Sequence, residues 1–94
     1  MTGKQRAGLR AMANTIQPIF QIGKGGISDT MIEQIGMALD TRELIKITVL
    51  ETAQVSAQEA GDQLCQALGA QLVQCIGRKI TIYRRNEKEP KIEL

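Results

Sequence analysis

The segment Leu44–Leu50 constrains the fold of this chain more than any other part of the sequence. It reads Leu-Ile-Lys-Ile-Thr-Val-Leu and is rich in β-branched residues, which favour the extended conformation. Its nearly continuous apolar character indicates a strand in the middle of a sheet. Lys46 and Thr48 alternate with the apolar residues, so the face that carries them is either partly open or lets the Lys46 ammonium reach its edge.

Three helices are predicted from apolar side chains that recur at helical spacing. Their boundaries come from residues that cap or terminate helices. These are the capping box Thr2 and Gln5 with the terminator Pro18, the N-cap Ser28 with the closing pair Asp40 and Thr41, and the capping box Ser56 and Glu59 with the C-cap Gly69. Each helix is therefore marked at both ends by the sequence.

Three shorter strands are predicted at Ile19–Ile22, Leu72–Ile76 and Lys79–Tyr83. Only Gly77 and Arg78 separate the last two strands, and glycine at the first central position suits a tight two-residue hairpin. The resulting order, α-β-α-β-α-β-β, predicts an α/β fold with a mixed four-stranded sheet and helices packed on it.

The chain has 94 residues, which is enough for one hydrophobic core and too few for two. We therefore expect a single domain that spans residues 1–86. Residues 87–94 are mostly charged and include Pro90, so they are predicted to form a flexible C-terminal tail.

A glycine-rich segment between a predicted strand and a predicted helix carries the strongest functional signal. Gly23, Gly25 and Gly26 remove side chains that would keep a ligand away from the backbone, and Lys24 adds a positive charge at the exposed tip. The loop amides, the helix N-terminus and the helix dipole together favour a phosphate there. The spacing excludes a nucleotide P-loop and a Rossmann fingerprint, and it is similar to the Gly-x-x-Gly loop of KH domains. The alternative is a tight turn that binds nothing.

Basic residues near both ends of the sequence extend this signal. The formal net charge is only +2, but residues 1–10 and 78–85 contain bases and no acid, which favours a local basic face. The candidate RNA contacts outside the loop are Lys4, Arg6, Arg10, Arg42, Lys46, Arg78, Lys79, Arg84 and Arg85. Taken singly, such a residue is more often solvated than a contact, and for Arg42 a salt bridge to Glu43 is as consistent as an RNA contact.

Other functional classes find little support in the composition. No apolar run is long enough to span a membrane and no secretory signal is present, so we expect a cytoplasmic protein. Cys65 and Cys75 without any histidine make a poor metal site and are expected to be buried thiols. The same lack of histidine and of an activated nucleophile argues against an enzyme, and no cofactor is expected. Tyr83 either stacks on a base or packs internally.

Four motifs in this order resemble the CRM domain (chloroplast RNA splicing and ribosome maturation) in its single-domain bacterial YhbY form. They are Thr2–Arg6, Gln21–Ser28, Arg42–Ile47, and Leu72–Arg78 followed by Tyr83-Arg84. The resemblance places the family's Gly-x-x-Gly loop on residues 23–26, its Arg-Glu-Leu-Ile-Lys element on residues 42–46 and its Gly-Arg turn on Gly77 and Arg78. It implies a fold like the C-terminal domain of translation initiation factor three.

The resemblance also implies RNA binding without catalysis, in association with precursors of the large ribosomal subunit. The leading hypothesis is therefore a monomeric assembly factor that grips the backbone of ribosomal RNA. Ribosomal proteins are further candidate partners. The alternative hypothesis is a protein-interaction module that docks on ribosomal proteins or another partner and does not contact RNA.

Overall fold

The computed structural model describes residues 1–92 and has the element order that the sequence predicts. The elements are α1 (Gly3–Ala13), β1 (Pro18–Ile22), α2 (Asp29–Arg42), β2 (Leu44–Val49), α3 (Ala57–Leu68), β3 (Gln71–Ile76) and β4 (Lys79–Tyr83). Strand boundaries differ from the predicted ones by at most one residue. The predicted α/β fold with a four-stranded sheet is confirmed.

The two predicted capping boxes, the N-cap Ser28 and the C-cap Gly69 form, whereas α2 continues through the predicted closing pair Asp40 and Thr41 and ends at Glu43. In both capping boxes the hydroxyl accepts from the backbone N–H three residues later, and that residue's side chain accepts from the cap N–H. The Ser28 hydroxyl accepts from the N–H of Met31 at 3.1 Å, and Gly69 ends α3 in the left-handed conformation with φ 64°. Local hydrogen bonds therefore set these helix ends, with no need for tertiary contacts.

The sheet has the strand order β1-β2-β4-β3 and is mixed. Strand β2 pairs in parallel with β1 and antiparallel with β4, which in turn pairs antiparallel with β3. The prediction that β2 is a central strand is confirmed. Gly77, at the first central position of the β3–β4 hairpin, has φ 59°, as that turn requires.

Helices α2 and α3 cover one face of the sheet, and the strand side chains that contact the two helices are apolar. Because side chains alternate along a strand, Ile45, Ile47 and Val49 of β2 point to this face. They pack with Ile35 and Leu39 of α2 and with residues of α3 in the main core. The side chains shared by this core are Ile22, Ile35, Leu39, Ile45, Ile47, Val49, Ala57, Ala60, Leu64, Ile80 and Ile82.

Helix α1 covers only one end of the opposite face. There Leu9 packs with Leu44, Val73 and Tyr83 in a second, smaller cluster. Toward the other end of the strands, no helix of residues 1–92 covers this face. There the strand register aligns one row of side chains across all four strands. The row consists of Gln21, Thr48, Lys79 and Ile76. Lys46 belongs to the next row on the same face.

The junction between α2 and β2 contains a buried carboxylate that sequence reasoning missed. Glu43 is fully buried at a positive φ of 64°. Its carboxylate accepts from the backbone N–H of Asn86 (2.8 Å), of Ile92 (2.7 Å) and of Lys91. Burial raises the pKa of this carboxyl, but the three N–H donors and the charge of Arg85 outweigh burial and leave the pKa below its ordinary value of 4.5.

These hydrogen bonds fold the described part of the predicted tail back on the domain. Ile92 also packs against the cluster that contains Leu9 and Leu44. The flexibility predicted for residues 87–94 stays a prediction, and residues 93 and 94 lie outside the described residues.

The structure bears on the two cysteines and on the search for a membrane-spanning helix. Cys65 and Cys75 are free thiols, half-buried against the main core. Burial, together with the charge of Asp62, raises the pKa of Cys65 to about 11, which keeps the thiol protonated and unreactive at neutral pH. Within residues 1–92, no helix is long and apolar enough to cross a bilayer.

Candidate nucleic-acid interface

The glycine-rich loop is a tight turn at the end of β1 with an exposed tip. The N–H of Gly26 donates to the carbonyl of Gly23 at 2.9 Å and closes the turn. Gly26 has φ 70°, a conformation that costs a residue with a Cβ about 1 kcal/mol. Lys24 and Gly25 are exposed, and no acceptor within residues 1–92 takes their N–H groups. The tip therefore presents two free amides and one ammonium to solvent.

Two amides of the loop and the first turn of α2 are used within the protein. The Gly26 amide is used inside the turn, and the Met31 amide is taken by the hydroxyl of Ser28. Asp29 adds a carboxylate in the first turn of α2, where the helix dipole favours it. An anion at this end of the molecule therefore meets its most favourable field at Lys24 and Gly25, and a less favourable one over the helix itself.

The β3–β4 hairpin lies at the same end of the sheet as the loop. The guanidinium of Arg78 donates to the carbonyls of Val49 (2.6 Å) and Leu50 (2.7 Å), and Leu50 N–H donates to Ile22 at 2.8 Å, next to the loop. Lys79 is exposed and pairs in register with Thr48. The structure thus brings Lys24, Arg78 and Lys79 to one end of the molecule, which is called the loop end.

The remaining predicted contacts do not join this group. The strand register puts the α2–β2 junction and the end of β4 at the far end of β2, roughly 16 Å from the loop end at ~3.3 Å per residue. Helix α1 packs over that far end. The residues placed there are Lys4, Arg6, Arg10, Arg42, Arg84 and Arg85. The single basic surface expected from the sequence is therefore split into two groups of cations, with Lys46 between them.

Three of the predicted arginine contacts hold the fold together. Arg6 donates to the carbonyl of Leu72 at 2.7 Å, and Arg78 is held by the two carbonyls at the end of β2. Arg84 donates to the carbonyls of Leu68 and Gly36, both at 2.9 Å, and pairs with Asp40 at 2.8 Å. Much of their hydrogen-bonding capacity is therefore already used, and their role as RNA contacts stays a prediction.

Arg42 and Lys46 have a different environment. Within residues 1–92, no carboxylate lies within salt-bridge distance of either cation, because the Glu43 carboxylate faces the C-terminal segment. Within the same residues, Arg42 does not form the salt bridge to Glu43 that the sequence suggested as an alternative. Both cations line a groove of about 570 Å³ between α1 and the start of β1 and β2. The complete lining is Met12, Thr15, Ile16, Gln17, Ile19, Arg42, Leu44, Ile45, Lys46 and Ile92.

Tyr83 packs internally. It is 4% exposed, lies in the cluster beneath α1, and its hydroxyl has no hydrogen-bond partner within residues 1–92. Burial, with the nearby charge of Glu43, raises its pKa. The interpretation of Tyr83 as an internal packing residue is therefore favoured over base stacking.

Comparison with known proteins identifies the family of this chain. The family model of the CRS1/YhbY (CRM) domain matches residues 1–84. The chain belongs to the CRM domain family. The matched segment of this CRM domain includes the loop, the α2–β2 junction and the β3–β4 hairpin, and it leaves out residues 85–92, which hold the Glu43 carboxylate.

Individual relatives match over the whole length of this CRM domain. It is 44% identical over 94 residues to "Probable RNA-binding protein YqeI" of Bacillus subtilis, covering 100% of this chain and 98% of the relative. It is 30% identical over 94 residues to the "RNA-binding protein" of Haemophilus influenzae, covering 100% and 94%. The solution structure of the hypothetical protein SAV1595 from Staphylococcus aureus matches with a TM-score of 0.82 and 48% identity, covering 100% and 98%.

Proposed function

We propose that this CRM domain is a non-enzymatic RNA-binding protein that grips the phosphate backbone of structured RNA at its loop end. The observation that carries the proposal is the loop tip, where the amides of Lys24 and Gly25 are free beside an exposed ammonium. Arg78 and Lys79 lie at the same end, so a backbone bound there meets three cations. The names of the relatives support RNA as the ligand.

The finer part of the proposal concerns which RNA is bound. The family resemblance favours ribosomal RNA in precursors of the large subunit, with a monomeric protein acting in the cytoplasm. Backbone contacts carry no sequence information, so the loop would supply affinity and position while other surfaces supply selectivity. Crosslinking in cells, followed by sequencing of the bound fragments, tests this part. Enrichment of fragments from outside the large-subunit precursor would contradict it.

The test of the loop is a charge reversal at Lys24. Lys24 is exposed and outside the helices and strands, so Lys24→Glu is expected to leave the fold intact. It should weaken binding to all structured RNAs by about tenfold or more in a filter-binding assay, because a phosphate contact is replaced by repulsion. The matched control is Lys88→Glu, which makes the same charge change at an exposed position near the α2–β2 junction, away from the loop end.

Salt dependence separates RNA gripping from protein docking. If about four phosphates are engaged, log affinity should fall with log salt at a slope of roughly −3 to −4, and Lys24→Gln should reduce its magnitude by about one. The alternative, a protein-docking module, predicts association with ribosomal proteins that is insensitive to salt and no binding to deproteinised RNA. Unchanged affinity of Lys24→Glu would reject the loop as the contact.

A further inference from the structure

The groove between α1 and the start of β1 and β2 has the size and chemistry of a ligand site. Its volume of about 570 Å³ lies within the range of roughly 300–1,000 Å³ that is typical of small-molecule pockets. Its walls are aliphatic, with Ile16, Ile19 and Leu44 among them. Ile19 is 40% exposed, which is unusual for a large apolar side chain on a sheet.

A bulge in β1 produces this exposure. In the register of β1 and β2, Pro18 is opposite Lys46 and Phe20 is opposite Ile47, so Ile19 is an extra residue without a partner. Phe20 packs against the main core, whereas Ile19 lines the groove. Bulges commonly re-aim side chains beside functional sites.

The charges around the groove are of one sign. Arg42 and Lys46 line it, and no acidic side chain among residues 1–92 does. Neither cation has an ion-pair partner within residues 1–92. By contrast, Arg84 pairs with Asp40 and donates to the carbonyl of Leu68. Thr15 and Gln17 add a hydroxyl oxygen and an amide at the rim. Two free cations beside aliphatic walls suit a ligand that has an anionic part and a flat apolar part.

We propose that this groove binds one unpaired nucleotide, with its base between the aliphatic walls and its phosphate on Arg42 and Lys46. Unpaired bases are held in this way in pockets with apolar walls, and their edges are read by polar groups at the rim. The proposal deepens the proposed function by adding a second contact to the same RNA. The groove lies about 13 Å from the loop along β1, at ~3.3 Å per residue, a span of roughly four stacked nucleotides at ~3.4 Å each.

The C-terminal segment completes the site. Ile92 forms part of the groove wall, and its backbone N–H is bound by the buried carboxylate of Glu43. Glu43, which follows Arg42 in the sequence, therefore holds this wall in place. The nucleotide could belong to an RNA strand or be a free mononucleotide, and the experiment distinguishes these two sources.

The test is an NMR titration of the whole chain with each of the four ribonucleoside 5′-monophosphates, a uridine hexamer and inorganic phosphate. Amide shifts at residues around the groove with both the hexamer and the monophosphates support the site in both sources, and the hexamer should also shift the loop amides. If only the hexamer shifts the groove amides, the groove binds a nucleotide of an RNA strand. If only the monophosphates shift them, the groove binds a free nucleotide. Equal shifts with inorganic phosphate and the monophosphates, or no groove shifts with any nucleotide, would overturn the proposal.

Two variants sharpen the result. Arg42→Gln combined with Lys46→Gln should weaken groove binding about tenfold. Lys46→Gln alone should weaken it less, whereas the matched change Lys88→Gln, at an exposed position that does not line the groove, should leave it unchanged. Ile19→Asp places a carboxylate in the groove at a partly exposed position and should abolish groove binding while the amide spectrum stays dispersed. Unchanged groove affinity in both groove variants would refute the proposal.

The variant Lys24→Glu separates this inference from the proposed function. It should remove loop shifts with the hexamer and leave groove shifts with the monophosphates. If Lys24→Glu has no effect on RNA affinity while the groove still binds nucleotides, the loop proposal fails and the groove stands. If Lys24→Glu removes the loop shifts and no nucleotide binds in the groove, the groove proposal fails and the loop stands.

Discussion

The loop at residues 23–26 and the junction at Glu43 are both sharp connections between a strand and a helix. Each contains a residue at positive φ, Gly26 at 70° and Glu43 at 64°. At the loop, two amides at the exposed tip have no acceptor within residues 1–92. At the junction, the Glu43 N–H, carbonyl and carboxylate all have partners. Free polar groups at an exposed turn indicate binding, whereas complete pairing at a buried one indicates structure.

Replacing Glu43 should have the largest effect on stability. Glu43→Gln keeps the shape but removes the charge, and it turns an amide NH₂ toward backbone donors. We expect a loss of about 2–4 kcal/mol in the free energy of unfolding, measured by urea titration at pH 7. Glu87→Gln, at an exposed position, is the control and should change it by less than about 0.5 kcal/mol. Equal stabilities of the two variants would show that the junction is not a structural anchor.

Arg84 and Arg85 form a matched pair that tests the division between structural and free cations. Arg84 donates to two carbonyls and pairs with Asp40, whereas Arg85 is exposed. Because Arg84 is partly open to solvent, we expect Arg84→Gln to lose roughly 1–3 kcal/mol in urea unfolding. Arg85→Gln should stay within about 0.5 kcal/mol of the parent chain. The opposite order would contradict the assignment of Arg84 to the fold.

Stability should depend on acid through Glu43. Its pKa in the folded protein lies below the ordinary value of 4.5, so its contribution is present above that value and is lost as pH falls through the folded pKa. The gap between the urea midpoints of the parent chain and Glu43→Gln should therefore narrow as pH falls from 7 into the acid range. A residual gap should remain, because the protonated carboxyl still accepts from backbone N–H groups. A constant gap between the two proteins would refute this origin.

The smallest predicted effects concern the loop glycines. Gly26→Ala adds a Cβ at φ 70° and should cost about 1 kcal/mol, although no atom lies within 4 Å of it. Gly25→Ala meets open space without positive φ and should leave stability unchanged within about 0.5 kcal/mol. Its methyl group at the tip should nevertheless weaken RNA binding. A loss of stability in Gly25→Ala, with unchanged RNA affinity, would reverse the interpretation of the loop.

The sequence predicts the helices and strands well because their signals are local. The capping box of Ser56 and Glu59, the left-handed Gly69 and the apolar alternation of β2 each depend on neighbours within a few residues. Even the central position of β2 follows from its continuous apolar pattern. These elements therefore need little tertiary information.

The candidate site is predicted less completely, because its arrangement depends on residues far apart in sequence. Arg6 reaches Leu72, and Arg84 reaches Gly36, contacts that no local pattern indicates. The sequence suggests Glu43 only as a partner for Arg42, since a single glutamate gives no sign of burial. The groove depends on a bulge at Ile19 and on Ile92, and neither has a distinctive local signal.

The hydrogen bonds to Glu43 also set an order of events during synthesis. Its three donors come from residues 86–92, which leave the ribosome after every helix and strand of the domain. Until then the Glu43 carboxylate lacks these three donors. The junction should therefore gain its full stability only after residues 86–92 have emerged.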